Sequence, residues 1–320
     1  MGLKFIDSPK YIEPKKYEVL KTKLVAELKD KAAVKSVYQM GSVRDPGISD
    51  LDIICVFKTD SNLDIDLRSS LSDNERSILT HDLFGIEEAS FTKALNYGLV
   101  SNLKLLYGED LLSDKNIGPA HKEVNTQIAF EYLIKMFISL DVQVTLGIIK
   151  LKSFLLEARA IIFDLELLNV SEGRLYEIVK EVIECRKTWF EEEIDKANLS
   201  KLILDFHNEL GQFLESELVD KDFYLPSLDI KLPHDYRLIQ NDKFIAEHKG
   251  FVLPNIFSFL GRKYINLQTR FNKFSYKIPY KLPEKDSIIE DRFSFYKKLV
   301  MANKTSYRHF IPLTTSLSIH

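Results

Sequence analysis

The residues best suited to chemistry lie between Gly41 and Asp52, where Gly41-Ser42 is followed by Ser49-Asp50-Leu51-Asp52-Ile53. Successive side chains of a strand point to opposite faces, so Asp50 and Asp52 point the same way, roughly 6–7 Å apart along the backbone. Two like charges held at the end of an apolar strand repel each other. A hard divalent cation with oxygen ligands offsets that repulsion. Phosphoryl transfer uses two such ions about 3.5–4 Å apart, one on the attacking oxygen and one on the leaving phosphate. A glycine at a strand end, Gly41, lets a phosphate come close to the backbone, and Ser42 offers a hydroxyl beside it. Arg44, two residues further on, is either a phosphate contact or a turn arginine facing solvent. Together these residues suit one task, holding a triphosphate over metal ions.

The surrounding pattern supplies elements to position them. Tyr17 to Ala33 predicts a helix, with Leu20, Leu24, Val25 and Leu28 on one stripe. Val34 to Met40 predicts a strand, Asp45-Pro46-Gly47 a turn, and the branched, nearly continuous apolar run from Leu51 to Phe57 a second strand. Leu67 to Leu79 is expected to be helical, His81 to Ile86 and Leu103 to Tyr107 to be strands, and Phe91 to Asn96 a helix between them. From Gln127 to Leu218 the pattern is helical nearly throughout, broken near Asn169-Val170-Ser171 and near Asn198. That predicts about four helices in an antiparallel bundle, with Ser171 capping one of them. After Val219 prolines and aromatics recur and no regular period holds. The expected division is therefore residues 1–118, 119–219 and 220–320.

The first of these segments resembles the DNA polymerase β-like nucleotidyltransferase superfamily over roughly residues 17–115. Gly41-Ser42 after a hydrophobic strand, then Ser49-Asp50-Leu51-Asp52-Ile53, match its signature. Leu106-Tyr107-Gly108-Glu109-Asp110-Leu111 matches its later element. The spacer between Gly41-Ser42 and Asp50 is shorter than in many members. The helical segment that follows makes the arrangement similar to the aminoglycoside nucleotidyltransferases. The resemblance implies an α+β fold: a nucleotidyltransferase-type mixed sheet with flanking helices, then a helical bundle and an irregular C-terminal segment. It implies that Asp50 and Asp52 bind two Mg2+ ions, with Mn2+ an alternative, and that Ser42 and the backbone near Gly41 meet the nucleotide, beside which Arg44 is a further candidate from its position alone. A third carboxylate on a later strand of the same sheet completes such sites. Asp82 is the first choice for it, as a metal ligand and a base for the acceptor hydroxyl, with Glu87 and Glu88 as competitors. The implied reaction moves a nucleoside monophosphate from an NTP to an acceptor hydroxyl on a small molecule, a protein or an RNA end. The alternative is a catalytically degenerate fold that binds nucleotide or RNA.

Composition narrows the remaining classes. Net charge is −3, which disfavours a wholesale polyanion binder. Between Arg262 and Arg308, however, 12 Lys and Arg face 4 Asp and Glu, with aromatics interleaved. That pattern suits a nucleic-acid groove, and it equally suits a subdomain packed on the acidic remainder of the chain. The histidines, His81 among them, show no metal-ligand spacing and read as surface or hydrogen-bonded residues. Cys55, inside an apolar run, and Cys185 make no disulfide or zinc pattern. The apolar stretch from Val142 to Phe163 carries Lys150, Lys152, Glu157 and Arg159, too many charges for a membrane span. A cytoplasmic location is the expectation.

Overall fold

Pro14 opens the first helix, its fixed φ and missing N–H suiting the first helical turn. The computed structural model describes residues 3–97, 102–112, 121–226, 236–254, 259–268 and 270–314. In chain order the elements are β1 (Lys4–Ile6), α1 (Pro14–Lys29), β2 (Val34–Met40), β3 (Asp52–Phe57), α2 (Asp73–Ile78), β4 (Phe84–Glu87), α3 (Glu88–Asn96) and β5 (Leu103–Gly108). Then follow α4 (Lys122–Thr145), β6 (Ile148–Lys150), α5 (Leu151–Leu167), α6 (Arg174–Lys187), α7 (Lys196–Asp220), β7 (Tyr236–Gln240) and β8 (Ile245–Gly250). The chain ends with α8 (Arg262–Gln268), β9 (Asn272–Ile278), α9 (Ile288–Ser306) and β10 (Ile311–Pro312). The fold is mixed α/β, and its residues group into two compact units.

One unit comprises residues 10–124 and 284–320. Its five-stranded sheet has the order β10-β4-β3-β2-β5. β3 runs antiparallel to β2 and parallel to β4, and β2 is antiparallel to β5. β3 is central, and Ile53 through Phe57 are all buried, as a near-continuous apolar run requires when both faces are covered. On one face Tyr17, Leu20, Leu24 and Leu28 of α1 join Val37, Ile53, Cys55 and Phe57 in a single core. The segment from 67 to 79 packs on that core, but only Asp73–Ile78 is helical. The helix starts late because Ser72 and Glu75 form a reciprocal capping box at that point. On the opposite face Tyr38 stacks on Phe91 of α3 with ring centroids 5.3 Å apart.

The end of the chain belongs to this sheet. β10 pairs in parallel with β4, covering an edge that would otherwise be open. Tyr307 stacks on Phe57 at 3.9 Å and 7° between ring planes. Asn303, buried, donates to the carbonyls of Gly85 and Phe310 at 3.2 and 3.1 Å. Both carbonyls would otherwise be left without these donors inside the protein.

The other unit comprises residues 1–9 and 125–283. α4 through α7 form the expected helical segment, with the strand β6 inserted between α4 and α5 and paired in parallel with β1. α6 begins after Gly173, at φ 101°, and not at a serine cap on Ser171. β9 lies between β7 and β8 in a three-stranded sheet. Tyr276 of β9 donates to Asp141 Oδ2 on α4 at 2.9 Å, and His207 of α7 contacts Asp141 Oδ1 at the same distance.

The expected three-way division is therefore redrawn. Residues 220–283 join the helical unit and 284–320 return to the first sheet, because β10, Asn303 and Tyr307 are completed only by β4 and β3. The 118/119 boundary itself lies outside the described residues. The 220–320 segment is not irregular, for α8, α9 and four strands lie in it. Most of its interleaved aromatics, including Phe274, Tyr276, Phe293 and Tyr296, are core residues. Among the described residues, no helix is long and apolar enough to cross a membrane.

Replacing Tyr307 by alanine should cost about 3–5 kcal/mol, the usual range for deleting a buried aromatic ring. Chemical denaturation followed by a probe on residues 34–57 measures it. A loss under about 1 kcal/mol would mean the C-terminal segment is not part of that core.

Candidate metal centre

β2 ends and β3 begins at one edge of the sheet, because the two strands are antiparallel and Met40 is opposite Asp52. β4 runs parallel to β3, so its approach segment, Thr80-His81-Asp82, arrives at the same edge. Three loops thus converge on the start of the most deeply buried strand.

The loop from Gly41 to Leu51 is held from inside. Asp45 accepts from the N–H groups of Ile48 and Ser49 at 3.0 and 2.8 Å, and its own N–H donates to Ser49 Oγ at 3.2 Å. Tyr17 of α1, 1% exposed, donates its hydroxyl to the Ser49 carbonyl at 2.8 Å and accepts from the Gly47 N–H at 2.9 Å. Leu51 N–H donates to the Ile78 carbonyl at 3.0 Å, tying the loop to the end of α2. The backbone carrying Asp50 and Asp52 is therefore fixed on both sides.

Asp50, Asp52 and His81 bring ligand atoms within 4.8 Å of one another. Among the described residues this is the one such group of three. The expected pair is thus brought together, facing the same way. Thr80 Oγ1 donates to Asp50 Oδ2 at 3.1 Å. Burial, and then the charge of Asp52, push the Asp50 carboxyl above its ordinary value. His81 Nε2 is 2.9 Å from Asp52 Oδ1, and its Nδ1 is 2.7 Å from the carbonyl of Asp82. A carbonyl oxygen can only accept, so Nδ1 carries the proton. Nε2 then either donates to Asp52 as part of an imidazolium or, in the neutral ring, turns a lone pair towards the two carboxylates. Burial opposes charge on the ring, but the bonds to Asp52 and to the Asp82 carbonyl, with the charges of both aspartates, raise its proton affinity overall.

The third carboxylate is placed differently from the expectation. β4 does pair beside β3, but the pairing starts at Ile54 opposite Phe84, and the chain bends at His81. That bend presents the imidazole to Asp52, and Asp82 contributes its backbone carbonyl while its carboxylate stays outside the trio. Glu87 and Glu88 are not alternatives. Glu87 is opposite Phe57, five residues along β3 from Asp52 and so roughly 16 Å away. It contacts the Tyr307 hydroxyl, and Glu88 is 3.8 Å from Lys35. His81 was missed because a histidine 29 residues from its partner has no local ligand spacing. The strand-pairing register was the signal that could have found it.

Of the nucleotide-facing candidates, Gly41 has φ +68° and open space where a Cβ would stand. Its N–H is engaged with the Asn102 carbonyl at 3.2 Å, so it does not serve as a phosphate donor in this conformation. Ser42 and Arg44 are exposed in the loop next to the trio.

The donor set fits a divalent cation. Two carboxylates suit magnesium and manganese, and an imidazole adds affinity for the later first-row metals. Nδ1 held by a backbone carbonyl is the usual support for a histidine that ligates through Nε2. No protein-family model matches the chain, and no curated protein or solved structure matches it.

Because Asp50 binds its proton more tightly in the folded chain than in the unfolded one, its contribution to stability is full below its ordinary pKa of 3.8. That contribution is lost as pH rises through the raised value. Asp50→Asn, neutral throughout, should therefore melt above the wild type at neutral pH in chelator, and the gap should close as pH falls towards 4. Excess divalent cation should reverse the order, since only the wild type gains binding energy. An unchanged melting difference with and without cation would exclude Asp50 as a ligand.

Proposed function

We propose that the chain is a divalent-metal-dependent nucleotidyltransferase, moving a nucleoside monophosphate from an NTP to an acceptor hydroxyl with release of pyrophosphate. The observation that carries this reading is the convergence of Asp50, Asp52 and His81 at one sheet edge, beside the exposed Ser42. The supporting arrangement is a mixed sheet. In it, a strand ending in Gly41-Ser42 lies antiparallel to the strand that begins with the acidic pair, and a later strand pairs on that strand's other side.

Asp50, Asp52 and His81 would hold the cation, which when bound neutralises phosphate charge and orients the phosphates. Magnesium is commonly held by one or two carboxylates, with substrate phosphates completing its shell, so the same carboxylates would serve a second ion once a triphosphate is bound. Ser42 and Arg44 offer a hydroxyl and a guanidinium to the β- and γ-phosphates. Tyr17 and the turn at Asp45–Ser49 keep the acidic pair from shifting, and positioning is most of what phosphoryl transfer asks of a protein. The acceptor oxygen forms a bond to the α-phosphorus while the bond to the β-phosphate oxygen breaks. The acceptor's proton is released to solvent, since the Asp82 carboxylate is not gathered at the trio to receive it.

One observation favours a second reading, a degenerate fold that binds nucleotide without transfer: the Asp82 carboxylate is not gathered with the pair. Incubation with each labelled NTP, Mg2+ or Mn2+, and cell extract separates the two. Transfer should be detected by mass shift and should fall at least a hundredfold in Asp52→Ala, since supporting residues alone are worth 10- to 100-fold. His81→Ala should lose about 10- to 100-fold in metal affinity. Nucleotide binding with no transfer under any condition would leave the binding-module reading standing and remove the catalytic one.

A further inference from the structure

The strongest feature outside the metal centre is the three-stranded sheet of the helical unit. Residues 236–278 carry eight Lys and Arg against two Asp and Glu, in a chain whose net charge is −3. β9 alternates strictly. Asn272, Phe274, Tyr276 and Ile278 are buried, so Lys273, Ser275 and Lys277 share the outer face. Register adds Arg237 from β7, opposite Ser275, and Lys249 from β8, directly opposite Lys273.

Two like charges in directly opposed positions destabilise a strand pair. The acid on this face, Glu247, is already paired with Lys277 at 2.5 Å. Arg237, Lys249 and Lys273 form no ion pair among the described residues. The face therefore carries positive charge that the sheet itself does not offset.

Beside these cations stand rings the core does not use. Phe251 and Phe271 are 63% and 52% exposed, and the Phe251 N–H bonds the Phe271 carbonyl, placing the two residues side by side just past β8 and just before β9. Along the chain Lys249 stands two residues before Phe251, and Arg270 and Lys273 stand on either side of Phe271. Gly250 permits the close approach, since a Cβ there would lie 2.3 Å from the Phe271 carbonyl oxygen. Exposed aromatic side chains gathered on one surface mark a binding site more often than an accident of packing.

We propose that the outer face of β7, β9 and β8, with Phe251 and Phe271, binds single-stranded nucleic acid. A strand of alternating phosphates and bases matches the alternation of cations and rings: phosphates neutralise Lys249, Lys273 and Arg237, and bases stack on the phenylalanines. A membrane surface fits less well. Burying these rings would draw the adjacent charges towards the hydrocarbon, which rejects them. The inference does not depend on nucleotide transfer, and it names a macromolecule that transfer alone does not require.

The test is fluorescence anisotropy of a labelled 20-nucleotide oligouridine with the full chain carrying Asp52→Ala, in chelator, so that failure of catalysis leaves the measurement intact. Binding should weaken with salt at a log–log slope of about −2 to −3, as expected for three or four phosphate contacts on a single strand. Lys249→Glu with Lys273→Glu should weaken binding at least tenfold and flatten the slope. Phe251→Ala with Phe271→Ala should weaken it about tenfold or more with the slope unchanged. All four positions are on the surface, and unchanged melting curves verify the fold of each variant. The proposal is overturned by any of three results: no binding at 50 mM salt, binding indifferent to the ring substitutions or equal for a duplex of the same length, or retention on phosphatidylserine vesicles without RNA binding.

Discussion

Repulsion between the carboxylates of Asp50 and Asp52 is the constraint around which the first unit is organised. β3 contributes five consecutive buried residues, and their burial draws the acidic pair to the boundary of the core. Asp50 is partly desolvated there, and the charge of Asp52 adds to the cost of ionising it. A chain that only needed a stable strand would gain by replacing Asp50 with a neutral residue. Its neighbours answer the charge only in part: Thr80 supplies one hydrogen bond and His81 one ring nitrogen. A site assembled in this way stores unfavourable electrostatics of the kind a bound cation would relieve.

The rest of the unit keeps that arrangement from relaxing. Were the loop between Gly41 and Leu51 free, the two carboxylates would turn apart into solvent and the repulsion would vanish. Tyr17 prevents this by bonding both sides of the turn from within the core, and the Leu51 N–H is held by α2. His81 depends in turn on β4, a strand of four residues that would be a weak edge alone. β10, Asn303 and the Tyr307–Phe57 stack secure it from the far end of the chain. Residues about 250 positions beyond the acidic pair thus help to hold the histidine against it.

Much of this was legible from local pattern. Val34–Met40 as a strand followed from its residues without correction, and the apolar run after Asp52 read as a buried strand because side-chain alternation and branching are local properties. The common orientation of Asp50 and Asp52 followed from the same period of two. Cys55 inside that run is buried, and burial pushes its thiol well up. The helical character of 127–218 was equally plain, since periodicity survives whatever the helices pack against.

Three features lay beyond such reasoning, each for the same physical cause. His81 joins the site through strand pairing 29 residues away and a bend that no propensity encodes, so the sequence pointed to its neighbour Asp82 instead. The C-terminal hundred residues looked irregular because their partners are distant: β9 finds β7 and β8, while β10 finds β4. The basic and aromatic residues between 262 and 308 suited a groove and a packed subdomain equally, and only the tertiary structure divides them between two units and buries most of the rings. Composition and short-range spacing alone determined which residues could do chemistry and which strand would carry them. Which of them meet was decided by long-range pairing, whose energy appears only once the chain has closed on itself.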